Sequence, residues 1–510
     1  MTITDPVAGH AAARGDHPAV VCGDTVRTYA ELDARANQLV RAWVTRGVQR
    51  DDRVAVMLAN SIEWFEASVA AARLGVHLVP VNWHLKRDEV GWILTDSDAQ
   101  LLLTHTGLAA EADGALTESP GCTPLWVGPS GNRGDYEAAL AVESSAPLAE
   151  VASVAPGLML YTSGTTGRPK GVVHERDTTA RSRTVLADLW GFDPSSVHLL
   201  VGPAYHGAPW SMAFTHLTLG ATLVIMPRWD ARAFLDLVAR HRVTNTFVVP
   251  THFSRLLDLP EHTLAARDLS SLRLVLHGAA VCPVAVKERA IALFDPAPVW
   301  EFYGFSEAGR LTRIGPDEWR MHPGSVGRPI ADARILILDD AGPVPVGTSG
   351  WIFAVPPHGD RFVYRNNPDA TTAVTRPTPY GDAVTGGDIG HLDADGYLYI
   401  TDRSAELVVR GGVNVYPSEA EQVLHAHPAV LDCAVFGVPD PVYGERLTAL
   451  VELAAGAAAT PEELSAHCRA HLADYKCPDE IQVVPELPRD PNGKVRKTEL
   501  RAQARRDQDA

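Results

Sequence analysis

The sequence predicts an α/β protein: a large N-terminal domain of two α/β subdomains and a small β subdomain, followed by a small α+β C-terminal domain. Three observations predict it. Strand-like and helix-like segments alternate from Thr28 to Phe294, as in a parallel sheet wrapped by helices. From about Ile330 to Asp402 the helical spacing disappears, and short apolar runs are separated by Pro, Gly and Asp. Beyond that stretch, helical and strand patterns return together in a compact unit.

Taken in order, Thr28-Tyr-Ala-Glu31 is a capping-box pattern, and Leu32, Ala36, Leu39, Val40 and Trp43 follow at helical spacing. Arg53–Leu58 reads as a strand, Ile62–Arg73 as a helix and Val76–Val81 as a strand. Arg87–Leu94 reads as a helix and Gln100–Thr104 as a strand. Farther on, Ala221–Met226, Thr246–Val249 and Leu272–Leu276 are expected to be strands. Helices are expected at Ala231–Arg240 and at Pro283–Phe294, the latter with proline in its first turn. Arg334–Leu338 and Gly350–Val355 are strands of the β subdomain. In the C-terminal unit, Ser418–Ala426 and Pro461–His471 read as helices, Leu431–Val438 and Leu447–Leu453 as strands, and the polar tail from Arg501 as frayed.

Composition narrows the function. The 510 residues are long enough to bury large cores, and 46% hydrophobic with 21% charged is ordinary for a globular protein. A formal charge of −17 without a basic tract argues against nucleic acid or an anionic membrane surface. The six cysteines show no Cys-x-x-Cys or zinc spacing, which suits reduced thiols in a cytoplasm. Neither a signal peptide at the N-terminus nor an apolar run of membrane-spanning length is expected.

The stretch Tyr161-Thr-Ser-Gly-Thr-Thr-Gly-Arg-Pro-Lys170-Gly-Val172 is the centre of the chain's chemistry. Thr162, Ser163, Gly164, Thr165, Thr166 and Gly167 are small or hydroxylated. Such a loop brings backbone N–H groups and hydroxyls to an anion, and Lys170 adds a positive charge. The apolar run Leu158–Tyr161 before it reads as a buried strand end, the usual approach to a phosphate loop in an α/β protein. The Gly-x-x-x-x-Gly-Lys-Ser/Thr spacing of ordinary ATPases is absent. Taken alone, the stretch has a flexible Ser/Thr/Gly-rich surface linker as its lesser alternative.

Its residue order closely resembles the phosphate loop of the adenylate-forming superfamily of acyl-CoA synthetases, luciferases and peptide-synthetase adenylation domains. Further motifs follow in the family's order. Pro203-Ala-Tyr205-His206 resembles the aromatic–histidine pair beside the acyl carboxylate, although a histidine in a Gly/Pro-rich loop is by itself more often structural. His277-Gly278-Ala279-Ala280 resembles the turn that packs on adenine. Glu301-Phe302-Tyr303-Gly304-Phe305-Ser306-Glu307 resembles Tyr-Gly-x-Thr-Glu, with Ser in place of Thr. By resemblance Tyr303 stacks on adenine, and Glu307 with Thr165 holds Mg²⁺. Gly386-Gly-Asp388 and the run ending Asp402-Arg403 resemble the ribose site, where Asp388 accepts from both hydroxyls and Arg403 reaches ribose and phosphate. Arg410-Gly411-Gly412 resembles the glycine turn of the small domain. Pro488-Arg-Asp-Pro-Asn-Gly-Lys494 carries the lysine that such enzymes bring over the carboxylate and α-phosphate; alone, a lysine after Asn-Gly would be a solvated turn residue.

The resemblance spans about Val20 to Leu500 and divides the chain into an adenylation domain, 1–402, and a mobile domain, 403–510, that carries Lys494. It implies a ligase using ATP, Mg²⁺ and coenzyme A: an acid becomes its adenylate with release of pyrophosphate, and the acyl group passes to the thiol. Lys494, His206, Glu307 and Thr165 are the catalytic set. Tyr205, Trp210, His252, His277 and Arg310 are the acid-pocket set. Alternatives stay open: another acid or acceptor, such as nitrite activated for nitrogen–nitrogen bond formation, or a non-catalytic nucleotide binder. A homodimer is left open too. Two departures from the family stand out. The hinge position two residues after Arg403 is Ala405 where Lys or Asp is common, and Arg310 stands where many CoA ligases have a small residue. Arg310 is left between a pocket wall and a residue that points to solvent or pairs with an acidic neighbour such as Asp317.

Overall fold

A computed structural model describes residues 5–129, 135–151, 157–162, 168–174, 185–403, 406–410, 413–440, 443–490 and 494–509. The chain forms two compact units, Met1–Phe247 with Asp360–Val374, and Val248–Gly359 with Thr375–Ala510.

In the first unit, Thr28 caps the helix Tyr29–Thr45 as its sequence predicts. The Glu31 N–H donates to Thr28 Oγ1 at 3.2 Å, and the Thr28 N–H donates back to Glu31 Oε2 at 2.8 Å. A seven-stranded sheet runs in the order Phe362–Tyr364, Lys170–His174, Gly157–Thr162, His77–Pro80, Arg53–Met57, Ala99–His105, Thr123–Val127. The last four pairings are parallel, and the two that involve Lys170–His174 are antiparallel. A second group of strands, Thr25–Thr28, Pro18–Cys22, Thr222–Ile225, Val197–Leu200 and Asn245–Val248, pairs in that order. Trp43, Trp64, Phe65, Leu78, Leu103 and Phe214 lie in the apolar core between strands and helices.

In the second unit, nine strands from Leu274–His277 to Thr375–Thr378 form a sheet, with Arg334–Leu338 pairing on Gly350–Val355. The C-terminal segment has a five-stranded sheet and its own core of Val408, Val435, Leu447, Val451, Leu464 and Cys468. Within this unit the segment touches the helix Pro250–Leu257 and its end through polar groups. Arg255 pairs with Glu452 at 2.5 and 3.3 Å, Arg489 donates to Thr251 Oγ1 at 3.2 Å, and the Ala455 N–H donates to Asp258 at 3.0 Å.

Three expectations need correction. Helices do not vanish between Ile330 and Asp402: Pro368–Ala373 is helical, capped by the Asn367 side chain on the Ala370 N–H at 3.0 Å. The tail from Arg501 belongs to the helix Lys497–Asp509, rich in good helix formers, and Arg501 donates to the Glu406 carbonyl at 2.7 Å. Pro283 is the cap of the helix Val284–Phe294 rather than a residue of its first turn. The helix Pro6–Arg14, capped by Asp5, has no counterpart in the sequence reading. Among the described residues no helix is long and apolar enough to cross a membrane.

Candidate active site

The phosphate-loop residues Ser163, Gly164, Thr165, Thr166 and Gly167 lie outside the described residues, but their frame is described. Thr162 and Lys170 are register partners at the mouth of the hairpin that carries them. Both arms are tied to the helix Arg87–Ser97. On one arm the Tyr161 hydroxyl donates to Asp96 Oδ2 at 2.7 Å; on the other Trp92 Nε1–H donates to the Pro169 carbonyl at 3.1 Å, with Arg168 over the Trp92 ring. Burial and the Asp96 carboxylate push the Tyr161 phenol far above its ordinary range, so it stays a donor. The segment Asp360–Val374 adds a strand beside Lys170–His174. It sets the Tyr364 ring 5.2 Å from Lys170 Nζ and anchors Arg365 Nε–H on the Asp96 carbonyl at 2.8 Å.

The same unit holds Tyr205, His206 and Trp210. Asn60 pins the loop before them, donating to the Gly202 carbonyl at 3.0 Å and accepting from the Ala204 N–H at 2.7 Å. Tyr205 and His206 have ring centroids 4.6 Å apart, and His206 immediately precedes the helix Gly207–Leu219. A Cβ on Gly207 would stand 2.9 Å from Leu160, so this helix start lies against the strand leading into the phosphate loop. Trp210 packs in the core, its N–H donating to Ser68 Oγ at 2.9 Å.

In the second unit, Val299–Phe305 and Gly309–Ile314 form a β-hairpin whose turn, Ser306-Glu307-Ala308, presents the proposed metal carboxylate. The turn closes on the Ala308 N–H to Phe305 carbonyl bond at 3.2 Å, and Gly309 has φ 70°. Glycine is compulsory at two neighbouring points. A Cβ on Gly304 would come 2.0 Å from the Gly309 carbonyl oxygen, and one on Gly278 would come 2.7 Å from that of Phe302. Ala279 takes φ 69°, a left-handed conformation that costs an L-residue about 1–2 kcal/mol. Ala279 and Ala280 are exposed just past the strand Leu274–His277.

His277 is wholly buried. Its Nε2 lies 3.7 Å from Glu301 Oε2, and the Lys287 ammonium pairs closely with the same carboxylate. Burial and Lys287 hold the imidazole well below its usual range, so it is neutral. His252, buried on the helix Pro250–Leu257, is pushed by burial down to about 3 and is neutral as well. Arg310, half-buried on the second arm of the hairpin, is pushed down to about 10 by burial. Asp317, the acidic neighbour considered for it, pairs with Arg320 at 2.7 Å.

Asp388 opens the strand Asp388–Leu392 opposite Arg403 and accepts from the Tyr303 hydroxyl at 2.7 Å. Lys494 closes a turn locked both ways. Its N–H donates to Asp490 Oδ1 at 2.9 Å, and its carbonyl accepts from the Asp490 N–H at 2.8 Å. Gly411, Gly412 and Ala405 lie outside the described residues. The supports the sequence reading missed are Asp96, Trp92, Tyr364, Arg365, Asn60 and Lys287. Only the Asn60-Ser61 start before the helix Ile62–Leu74 left a local trace.

Comparison with known proteins agrees along the whole length. The profile described as AMP-binding enzyme matches residues 7–357, and that described as AMP-binding enzyme C-terminal domain matches 419–494. The chain is 31% identical over 512 residues to the fatty acid–[acyl-carrier-protein] ligase ScoC of Streptomyces coeruleorubidus, covering 98% of this chain and 96% of the relative. It is 33% identical to a feruloyl-CoA synthase of an Amycolatopsis species, covering 95% of each. ATP-bound MatB from Rhodopseudomonas palustris superposes with a TM-score of 0.85 at 31% identity, covering 99% of both chains. The activity is ATP-dependent activation of an acid through its adenylate. With both profiles and full-length relatives in agreement, the chain belongs to the AMP-binding enzymes, the adenylate-forming ligases that its motifs resemble.

Proposed function

We propose that this ligase activates a short, aromatic or polar acid in preference to a long fatty acid. The observation that carries the reading is Arg310, a guanidinium set in partly buried surroundings three residues past Glu307. A long apolar chain brings no hydrogen-bond acceptor or π-face to a charge that is costly to desolvate. A small polar or aromatic acid offers a hydrogen-bond acceptor or a π-face. Arg310→Gly is expected to extend activity toward longer apolar acids; a wild-type preference for palmitate-length chains over small aryl acids would sink the proposal.

In this reading the acid's carboxylate attacks the α-phosphorus in line. The nucleophile is already ionised, so no side chain has to remove a proton, and the protein's work is positioning and charge stabilisation. Lys170 and the Thr162–Gly167 loop bind the β- and γ-phosphates, their frame held rigid by Asp96 and Trp92. Tyr303 covers adenine, Asp388 and Arg403 hold the ribose, and Tyr205 and His206 flank the acid. Glu307 offers a carboxylate on a tight turn, which fits a hard, oxygen-seeking cation, and Thr165 is its partner; Mg²⁺ held there would neutralise phosphate charge.

Residues 403–510 then turn about Ser404-Ala405, withdrawing Lys494 and bringing the Gly411-Gly412 turn to the pantetheine thiol. Two features support an independent body: a separate apolar core, and polar contacts through Arg255, Arg489 and Asp258. We place the enzyme in the cytoplasm, in keeping with its acidic surface and free cysteines. Pyrophosphate release across a panel of aryl, short polar and long-chain acids and nitrite, with and without coenzyme A, tests acid and acceptor together. Thiol-independent turnover of nitrite as the best substrate would replace this reading with nitrogen–nitrogen bond chemistry.

A further inference from the structure

The Tyr303–Asp388 hydrogen bond is not a contact between neighbouring strands. In the sheet, Gly309–Ile314, Ser325–Pro329 and Leu398–Arg403 stand between the strand of Tyr303 and that of Asp388. The register shifts at Tyr303/Gly304, Ser325/Gly327 and Ile389/Gly390 along this path. The two ends nevertheless meet. A Cβ on Gly386 would stand 2.8 Å from the Phe305 ring, and the Tyr303 hydroxyl meets Asp388 Oδ2 at 2.7 Å. Both residues are buried, Tyr303 at 8% and Asp388 at 4% exposure.

A buried carboxylate needs hydrogen-bond donors, and a carboxylate free to rotate presents its lone pairs in no fixed direction. The hydroxyl donates to one oxygen and restricts the rotation of the group. We infer that Tyr303 is a positioning residue for nucleotide selection, its hydroxyl orienting Asp388 toward the ribose while its ring covers the base. The inference rests on the assignment of Asp388 to the ribose made above. It separates two duties within one side chain: the ring acts on adenine, and the oxygen acts through another residue.

Equilibrium binding of ATP and of 2′-deoxy-ATP by calorimetry tests this without knowledge of the acid. In Tyr303→Phe the ring is kept and the hydrogen bond lost. ATP affinity is expected to fall about ten-fold, the scale of a hydrogen bond to a charged group, with 2′-deoxy-ATP falling much less. The preference for ATP therefore shrinks. Loss of stacking would weaken both nucleotides equally and leave the preference intact; that result would overturn the inference. Asp388→Ala is the control for the site itself. If it leaves the ATP preference at the wild-type value, the ribose assignment fails and the inference falls with it. If it abolishes the preference while Tyr303→Phe keeps it, only the positioning role falls. Adding Tyr303→Phe to Asp388→Ala is expected to change the preference no further, and Asp388→Asn, which still accepts from the hydroxyl, is expected to retain more of it than Asp388→Ala. An Asp388→Asn preference as low as that of Asp388→Ala would count against orientation as the cause, a reading open even if the phenylalanine variant does not fold.

Discussion

Lys494→Ala is expected to reduce adenylate formation by about a hundred-fold or more, while thioester formation from a supplied acyl-adenylate stays close to wild type. The reason lies in when the charge is needed. The anionic carboxylate meets the α-phosphate only in the first step, where charge builds on the phosphoryl oxygens, and an ammonium there stabilises the transition state more than the ground state. The lysine's reach is set by its turn, because the reciprocal bonds between Asp490 and Lys494 hold the backbone from which the side chain extends. Alanine keeps that backbone and removes only the charge. Pyrophosphate exchange measures the first step and thioester release from synthetic adenylate the second. Equal losses in both would remove Lys494 from its assigned step.

Lys287→Met is expected to destabilise the second unit by about 3–5 kcal/mol, because it leaves Glu301 as a buried carboxylate without its cation. Glu301 is already held above the usual carboxylate range by burial, which outweighs the opposing pull of Lys287. Without Lys287 the folded state binds a proton more readily than the unfolded state. The sign follows: the variant is most stable below the ordinary carboxylate range, and loses stability as pH rises through that range to the raised folded value. Urea unfolding at several pH values measures this. Lys287→Met combined with Glu301→Leu is expected to recover most of the loss, since an apolar pair of similar volume replaces the ion pair. A pH-independent loss in the single variant would mean that the cost is packing against Trp319, whose ring lies 4.8 Å from the ammonium.

What could be read from the sequence, and what could not, follows the range of the forces involved. The helix Tyr29–Thr45 is written locally, in Thr28, Glu31 and apolar positions three and four apart. The hairpin with Glu307 at its turn is local too, within Tyr303 to Gly309. By contrast Asp96 meets Arg365 across 269 residues and Asn60 meets Gly202 across 142, and partners so distant leave no periodicity. The helix Pro368–Ala373 was legible in principle: Asn367-Pro368 is a cap followed by a first-turn proline, but six residues are too short to show an apolar face. The Trp210 indole likewise donates to Ser68 Oγ across 142 residues, a partner that no local pattern announces.

Gly304 and Gly278 set a limit on how this enzyme could drift to new substrates. At either position the first carbon of any side chain meets a backbone oxygen, at 2.0 and 2.7 Å, and backbone cannot step aside as a side-chain tip can. Random mutagenesis would therefore return glycine at both sites whatever acid is selected for. Diversity that survives selection would gather where side chains already exist, with Arg310, on the second arm of the hairpin, as a first place to look. The hairpin supplies an invariant chassis, and the variable trait rides one residue beyond its turn glycine.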